Sequence, residues 1–115
     1  MPAAGGGAMP DTSKYISRNL VNLLPGWLIH FLWYLWAQID PESRGPIQVF
    51  DLQAVPDGQS VTLRQDAPPY EQTAVVPCPV AVTAKVVVQT TDGRSVMQLQ
   101  DMGSTLTDYI PAGNL

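Results

Sequence analysis

Residues 25–41, "PGWLIHFLWYLWAQIDP", constrain the fold more than any other part of the chain. Between Trp27 and Ala37 only His30 is clearly polar, and Trp27, Trp33 and Trp36 fall within ten residues. Proline suits the first turn of a helix, where its missing N–H costs nothing. Asp40-Pro41 ends the segment, because a residue before proline is pushed out of the α conformation. A helix over about residues 25–39 is roughly 22 Å long at about 1.5 Å per residue. The hydrocarbon core of a bilayer is about 30 Å thick, and flanking Lys or Arg anchors are missing at both ends. The segment is therefore read as a folded helix, with no membrane span.

On a helical wheel, Leu28, Leu32, Leu35, Trp36 and Ile39 share one face, flanked by Ile29 and Phe31. That is a core stripe. The opposite side holds Trp27, His30, Trp33, Tyr34, Ala37 and Gln38. An ordinary surface helix carries Lys and Glu there. An uncharged aromatic face is either covered by the rest of its own chain or kept for a partner. Trp27, His30, Trp33 and Tyr34 are the candidate interface.

After Pro46 the period changes from helical to alternating. "IQVFDLQAV" (47–55) and "QSVTLRQ" (59–65) flank "PDG". An even loop places Phe50, Leu52 and Ala54 on the face of Val61 and Leu63; an odd loop mixes the faces. Period matching favours the even register. The next hairpin is clearer: Asp92-Gly93 joins two alternating runs between Val82 and Gln100, a strong short-range hairpin signal. A two-residue turn sets Val88 opposite Met97 and Val86 opposite Leu99. "EQTAVV" (71–76) is a shorter strand. "KYISR" (14–18) reads as one more, an exposed edge where Lys14 discourages aggregation. The expected fold is thus α+β: one main helix packed on an antiparallel sheet of about five strands. Residues 1–12 read as a disordered leader, 13–102 as a single domain and 103–115 as a C-terminal tail.

Composition narrows function mainly by exclusion. The chain has 115 residues, is 45% apolar and only 14% charged, and carries a net charge of −4. Its six Lys and Arg are scattered from Lys14 to Arg94 rather than gathered in the basic stripe of a nucleic-acid binder. One cysteine, Cys78, excludes an intrachain disulfide and fits a reducing cytoplasm. A hydrolytic triad needs a nucleophile, a base and an acid that converge. His30 sits mid-helix and Cys78 between two prolines, so no catalytic residue is expected. One His and one Cys cannot build a structural zinc site, and "AAGGGA" lacks the Gly-Lys-Ser/Thr of a phosphate loop. No metal or cofactor is expected. Lys14, Tyr15 and Arg18 form the one local basic–aromatic cluster.

Lys14-Tyr15-Ile16-Ser17-Arg18, Pro25 opening the helix, and Trp36 with Ile39-Asp40 closing it form an ordered series. It continues with Gln48-Val49-Phe50, Pro69-Tyr70 after Gln65, Thr83-Ala84-Lys85, and Asp92-Gly93 before Ser95-Val96-Met97. In this order and spacing the segments resemble domain of unknown function family 960, small proteins found mainly in Firmicutes. The resemblance spans residues 14 to 100. It implies a bacterial, cytoplasmic protein. No activity is assigned to that family, so no catalytic residues carry over. Asn19 stands where a glycine usually follows the arginine, and the aromatic outer helix face and "PCPV" also depart from the pattern. The functional expectation is a non-enzymatic protein-interaction module, self-associating as a homodimer or binding a protein partner. The alternative is a small-ligand-binding domain or weak enzyme, with an aromatic pocket near His30, Trp33 and Tyr34.

Overall fold

The computed structural model describes residues 13–100 and 109–114. The segment read as a leader, 1–12, and the domain boundary near 102 lie outside the described residues. The chain runs β1 (Ser13–Ser17), α1 (Arg18–Leu23), α2 (Gly26–Ala37), a 3₁₀ turn at Pro41–Ser43, β2 (Ile47–Val55), β3 (Gly58–Gln65), β4 (Tyr70–Val76), β5 (Ala84–Thr91), β6 (Arg94–Leu99), β7 (Tyr109–Pro111) and a last 3₁₀ turn.

The sheet corrects the expected fold. It has seven strands in the order β4-β3-β2-β5-β6-β1-β7, and it is mixed rather than antiparallel. β1 pairs in parallel with β6, setting Tyr15 opposite Val96 and Ile16 opposite Met97. Parallel neighbours need a long crossover. Here the whole run from α1 to β5 separates β1 from β6, and α1 and α2 carry the chain from β1 across to β2, three positions away beyond β6 and β5. β7 adds an antiparallel strand to the outer side of β1, with Ile16 opposite Ile110. "KYISR" is therefore an interior strand and not an edge, and residues 109–111 of the segment read as a tail belong to the sheet. Neither pairing has a local signal: β1 and β6 are far apart in sequence, and three residues of β7 are too short for alternation to show. The main helix is also shorter than 25–39, and a second, six-residue helix precedes it.

Within the hairpins the alternation translates directly into register. Val55 pairs with Gly58 across a two-residue Pro56-Asp57 loop, so Phe50 faces Leu63 and Leu52 faces Val61. Val88 faces Met97 and Val86 faces Leu99. Asp92 (φ 53°) and Gly93 (φ 81°) both take the left-handed conformation that a two-residue turn of this kind requires.

α2 starts after Pro25, whose carbonyl accepts from Leu28 N and Ile29 N at 3.0 and 3.2 Å. Its buried side is Leu28, Ile29, Leu32, Trp33, Leu35 and Trp36. These residues join Ile16, Leu20, Phe50, Leu52, Val61, Leu63, Val86, Val88 and Met97 in one core. Each fully buried aliphatic or Phe side chain contributes about 1.5–3 kcal/mol, so this layer between the helices and one face of the sheet is the main source of stability. Among the described residues no helix is long and apolar enough to cross a membrane.

Candidate functional site

The solvent side of α2 is a stripe at helical spacing. Trp27, His30, Phe31 and Tyr34 stand at i, i+3, i+4 and i+7, one continuous helix face. Trp27 is 43% exposed and Tyr34 58%, while Phe31 is half-buried and packs its ring on Tyr34, centroids 6.2 Å apart and planes 21° apart. Leu23, at the end of α1, is 47% exposed. No charged side chain occurs between Arg18 and Asp40.

Trp33 does not share this exposure. It is 8% exposed and meets Trp36 edge-on, with centroids 5.3 Å apart. On the wheel it lies about 60° from both His30 and Trp36, at the seam between the wet and dry sides, given about 100° per residue. Interior placement of β1 decides the matter. Lys14, on the helix-facing side of β1, sets its ammonium 5.8 Å from the Trp33 centroid and 5.6 Å from that of Trp36. The candidate set therefore divides: Trp27, His30 and Tyr34 face solvent, and Trp33 is covered by the domain itself. Trp33 Nε1 is buried and has no hydrogen-bond partner among the described residues. His30 and Trp33 line a cleft of about 420 Å³ with Lys14 and Pro111.

Trp36 is the hub of a polar network that alternation alone does not reveal. Its Nε1 donates to Gln48 Oε1 at 2.8 Å. Gln48 Nε2 donates to the Gly45 carbonyl and to Gln65 Oε1, each at 2.7 Å. Gln65 Nε2 donates to the Ser43 and Pro68 carbonyls at 2.8 and 2.7 Å. Gln48 and Gln65 are buried on the core side of the sheet, in phase with Phe50 and Leu63. That phase was visible in the sequence: a glutamine at an inward position must find partners. The pair ties the 3₁₀ turn to the β3–β4 connection.

Arg44 lies over the Trp36 ring. Its guanidinium carbon lies 3.9 Å from the ring centroid, and Nη2 donates to the Ile39 carbonyl at 2.8 Å and that of Ala37 at 3.4 Å. It thus satisfies carbonyls at the C-terminal end of α2, where a cation is favoured. Burial lowers its pKa from the ordinary arginine value, and the charge of Asp40 opposes that shift.

The other singled-out residues remain apart. Cys78 is half-buried in the β4–β5 connection, where Sγ donates to the Val80 carbonyl at 3.3 Å. His30 is on α2. Tyr70 lies half-buried at the start of β4, and its hydroxyl donates to Gln72 Oε1 at 2.9 Å. Among the described residues no three His, Cys, Asp or Glu side chains gather as metal ligands.

Comparison with known proteins adds a fold relative. No family model matches the chain, and no curated protein matches it. A solved structure, the crystal structure of a protein of unknown function from Enterococcus faecalis, is similar to it with a TM-score of 0.61 and 20% sequence identity. The similarity covers 81% of this chain and 92% of that one. At this identity the likeness shows the fold alone.

Proposed function

We propose that the protein is a non-enzymatic interaction module that self-associates through the α2 stripe, with a second copy as its occupant. The run Trp27, Phe31 and Tyr34, exposed at Trp27 and Tyr34 and half-buried at Phe31, carries this reading. Helices that dock into apolar surfaces present anchors at i, i+4 and i+7 in this way. A large aromatic buries about 150–250 Å², so covering Trp27 and Tyr34 on both subunits is worth several kcal/mol at roughly 25 cal/mol per Å². A twofold interface places one patch against its own copy. A face without charge meets itself without setting like charges together. Membership of domain of unknown function family 960 and a cytoplasmic location belong to the same proposal, supported by the ordered segments quoted above and the lone Cys78.

Light scattering on the purified chain across the micromolar range tests it. The expected result is a dimer that Tyr34→Glu converts to a monomer with an unchanged thermal transition. A wild-type chain that stays monomeric at high micromolar concentration overturns the reading.

A second reading, a small-ligand site near the helix, is favoured by one observation. Lys14 lines two cavities, the cleft with Trp33 and His30 and another of about 430 Å³ beside Trp36.

A further inference from the structure

We propose that the cavity beside Trp36 is a site for a small oxyanion, a phosphate or carboxylate group, held by Lys14 and Arg44 with the Thr90–Ser95 hydroxyl pair. This inference rests on the second reading above and names its ligand class. Lys14 reaches the cavity from β1 and Arg44 from the segment after the 3₁₀ turn, while Thr90 and Ser95 lie on β5 and β6. Distances of 5.6 Å and 3.9 Å to the one Trp36 centroid hold the ammonium and the guanidinium carbon no more than 9.5 Å apart.

The charge balance is what sets this place apart. The chain has ten acids and six bases, yet two of the bases line this cavity and no acid does, the Asp40 carboxylate acting on Arg44 from outside the lining. Two cations brought to one ring repel each other, and the indole face offsets only part of that. The Lys14 ammonium has three N–H donors. It contacts two indole rings and no oxygen acceptor among the described residues. Arg44 Nε is buried and unpartnered among the described residues, while Nη2 is committed to carbonyls. Arg44 therefore supplies fixed positive charge, and Lys14 supplies free donors. Thr90 Oγ1 and Ser95 Oγ lie 2.8 Å apart. Only one of the two donates along that contact, so the other hydroxyl hydrogen is free for an acceptor. An incoming oxyanion would satisfy these donors and relieve the cationic repulsion together. Thr90 and Ser95 are paired by the β5–β6 hairpin, and only the tertiary fold brings Lys14 and Arg44 to them.

The test is an NMR titration of the full chain, run separately with inorganic phosphate and with succinate, each at constant ionic strength balanced with sodium chloride. The expected result is saturable shifts of the Trp36 indole N–H and of the Gly93 and Ser95 amides. Lys14→Gln should weaken binding about tenfold or more, the share of one charge-assisted hydrogen bond. Lys14→Arg should restore much of it, and Tyr34→Glu should leave it unchanged. Saturation by phosphate alone or by succinate alone identifies the source of the oxyanion, and either supports the site. Linear shifts equal to those of sodium chloride, or equal shifts in wild type and Lys14→Gln, overturn it. Silence with both anions, alongside saturable shifts of the same resonances by neutral indole, overturns the oxyanion class while leaving the ligand reading standing.

Discussion

The two buried tryptophans of α2 differ in one atom's surroundings. Trp36 Nε1 is bonded to Gln48, whereas Trp33 Nε1 has no partner among the described residues. Replacing Trp36 by Phe leaves the buried Gln48 oxygen without its donor, at a cost of about 1–3 kcal/mol beyond the lost area. The same change at Trp33 strands no acceptor. Trp36→Phe should therefore destabilise more than Trp33→Phe, by about 1 kcal/mol or more in urea unfolding. Gln48→Ala goes further, since it strands the indole N–H, the Gly45 carbonyl and part of the Gln65 amide. A loss of roughly 3 kcal/mol follows from the same per-group cost. Gln53→Ala, on the exposed face, should stay within about 0.5 kcal/mol. Equal effects at positions 48 and 53 would show that the buried network contributes nothing.

Two glycines set the strand elements, for different reasons. Gly93 has a φ of 81°, and a Cβ there would meet nothing within 4 Å. Gly93→Ala should cost only the left-handed backbone, about 1–2 kcal/mol. Gly58 has a φ of 135°, and a Cβ there would collide with the Val76 carbonyl oxygen and crowd Cys78 N at 2.9 Å. This residue both opens β3 and lets the end of β4 and the following Pro77-Cys78 pass against it. Gly58→Ala should lose distinctly more stability than Gly93→Ala, and amide protection should fall first in β3 and β4. The comparison is made by denaturant melts of both variants and by hydrogen exchange.

At the scale of the molecule, the β2–β5 pairing joins the two antiparallel hairpin systems, and β1 extends the resulting sheet beyond β6. β1 is held on one side by β6 and on the other by β7. Ile110 packs against the core, and the Tyr109 hydroxyl donates to Gln98 Oε1 at 3.1 Å. Deleting residues 109–115 should leave β1 as an edge. It should cost roughly 2 kcal/mol, the value of one partly buried aliphatic side chain and a short ladder. Nuclear Overhauser contacts between Tyr15 and Val96 test the parallel register directly, and contacts that instead follow an antiparallel order would refute it. The proposed dimerisation through Trp27 and Tyr34 belongs to this scale too, since neither residue takes part in β1's pairings.

The sequence by itself determined whatever depends on neighbours along the chain. Pro25 and Asp40-Pro41 bracket the helix because proline restricts its own φ and the residue before it. Asp92-Gly93 fixes the second hairpin, and alternation fixes which side of β2, β3, β5 and β6 is dry, because pleating gives side chains a period of two. Tertiary structure decided what depends on contacts across sequence distance. The parallel partner of β1, the addition of β7, the covering of Trp33 by Lys14 and the meeting of Lys14 and Arg44 with the β5–β6 hairpin all join segments that carry no signal for one another. Trp27, His30, Trp33 and Tyr34 looked alike on the wheel because helical spacing orders residues around one axis. It does not say which of them the rest of the fold will cover: Lys14 of β1 lies against Trp33, while Trp27, His30 and Tyr34 stay exposed.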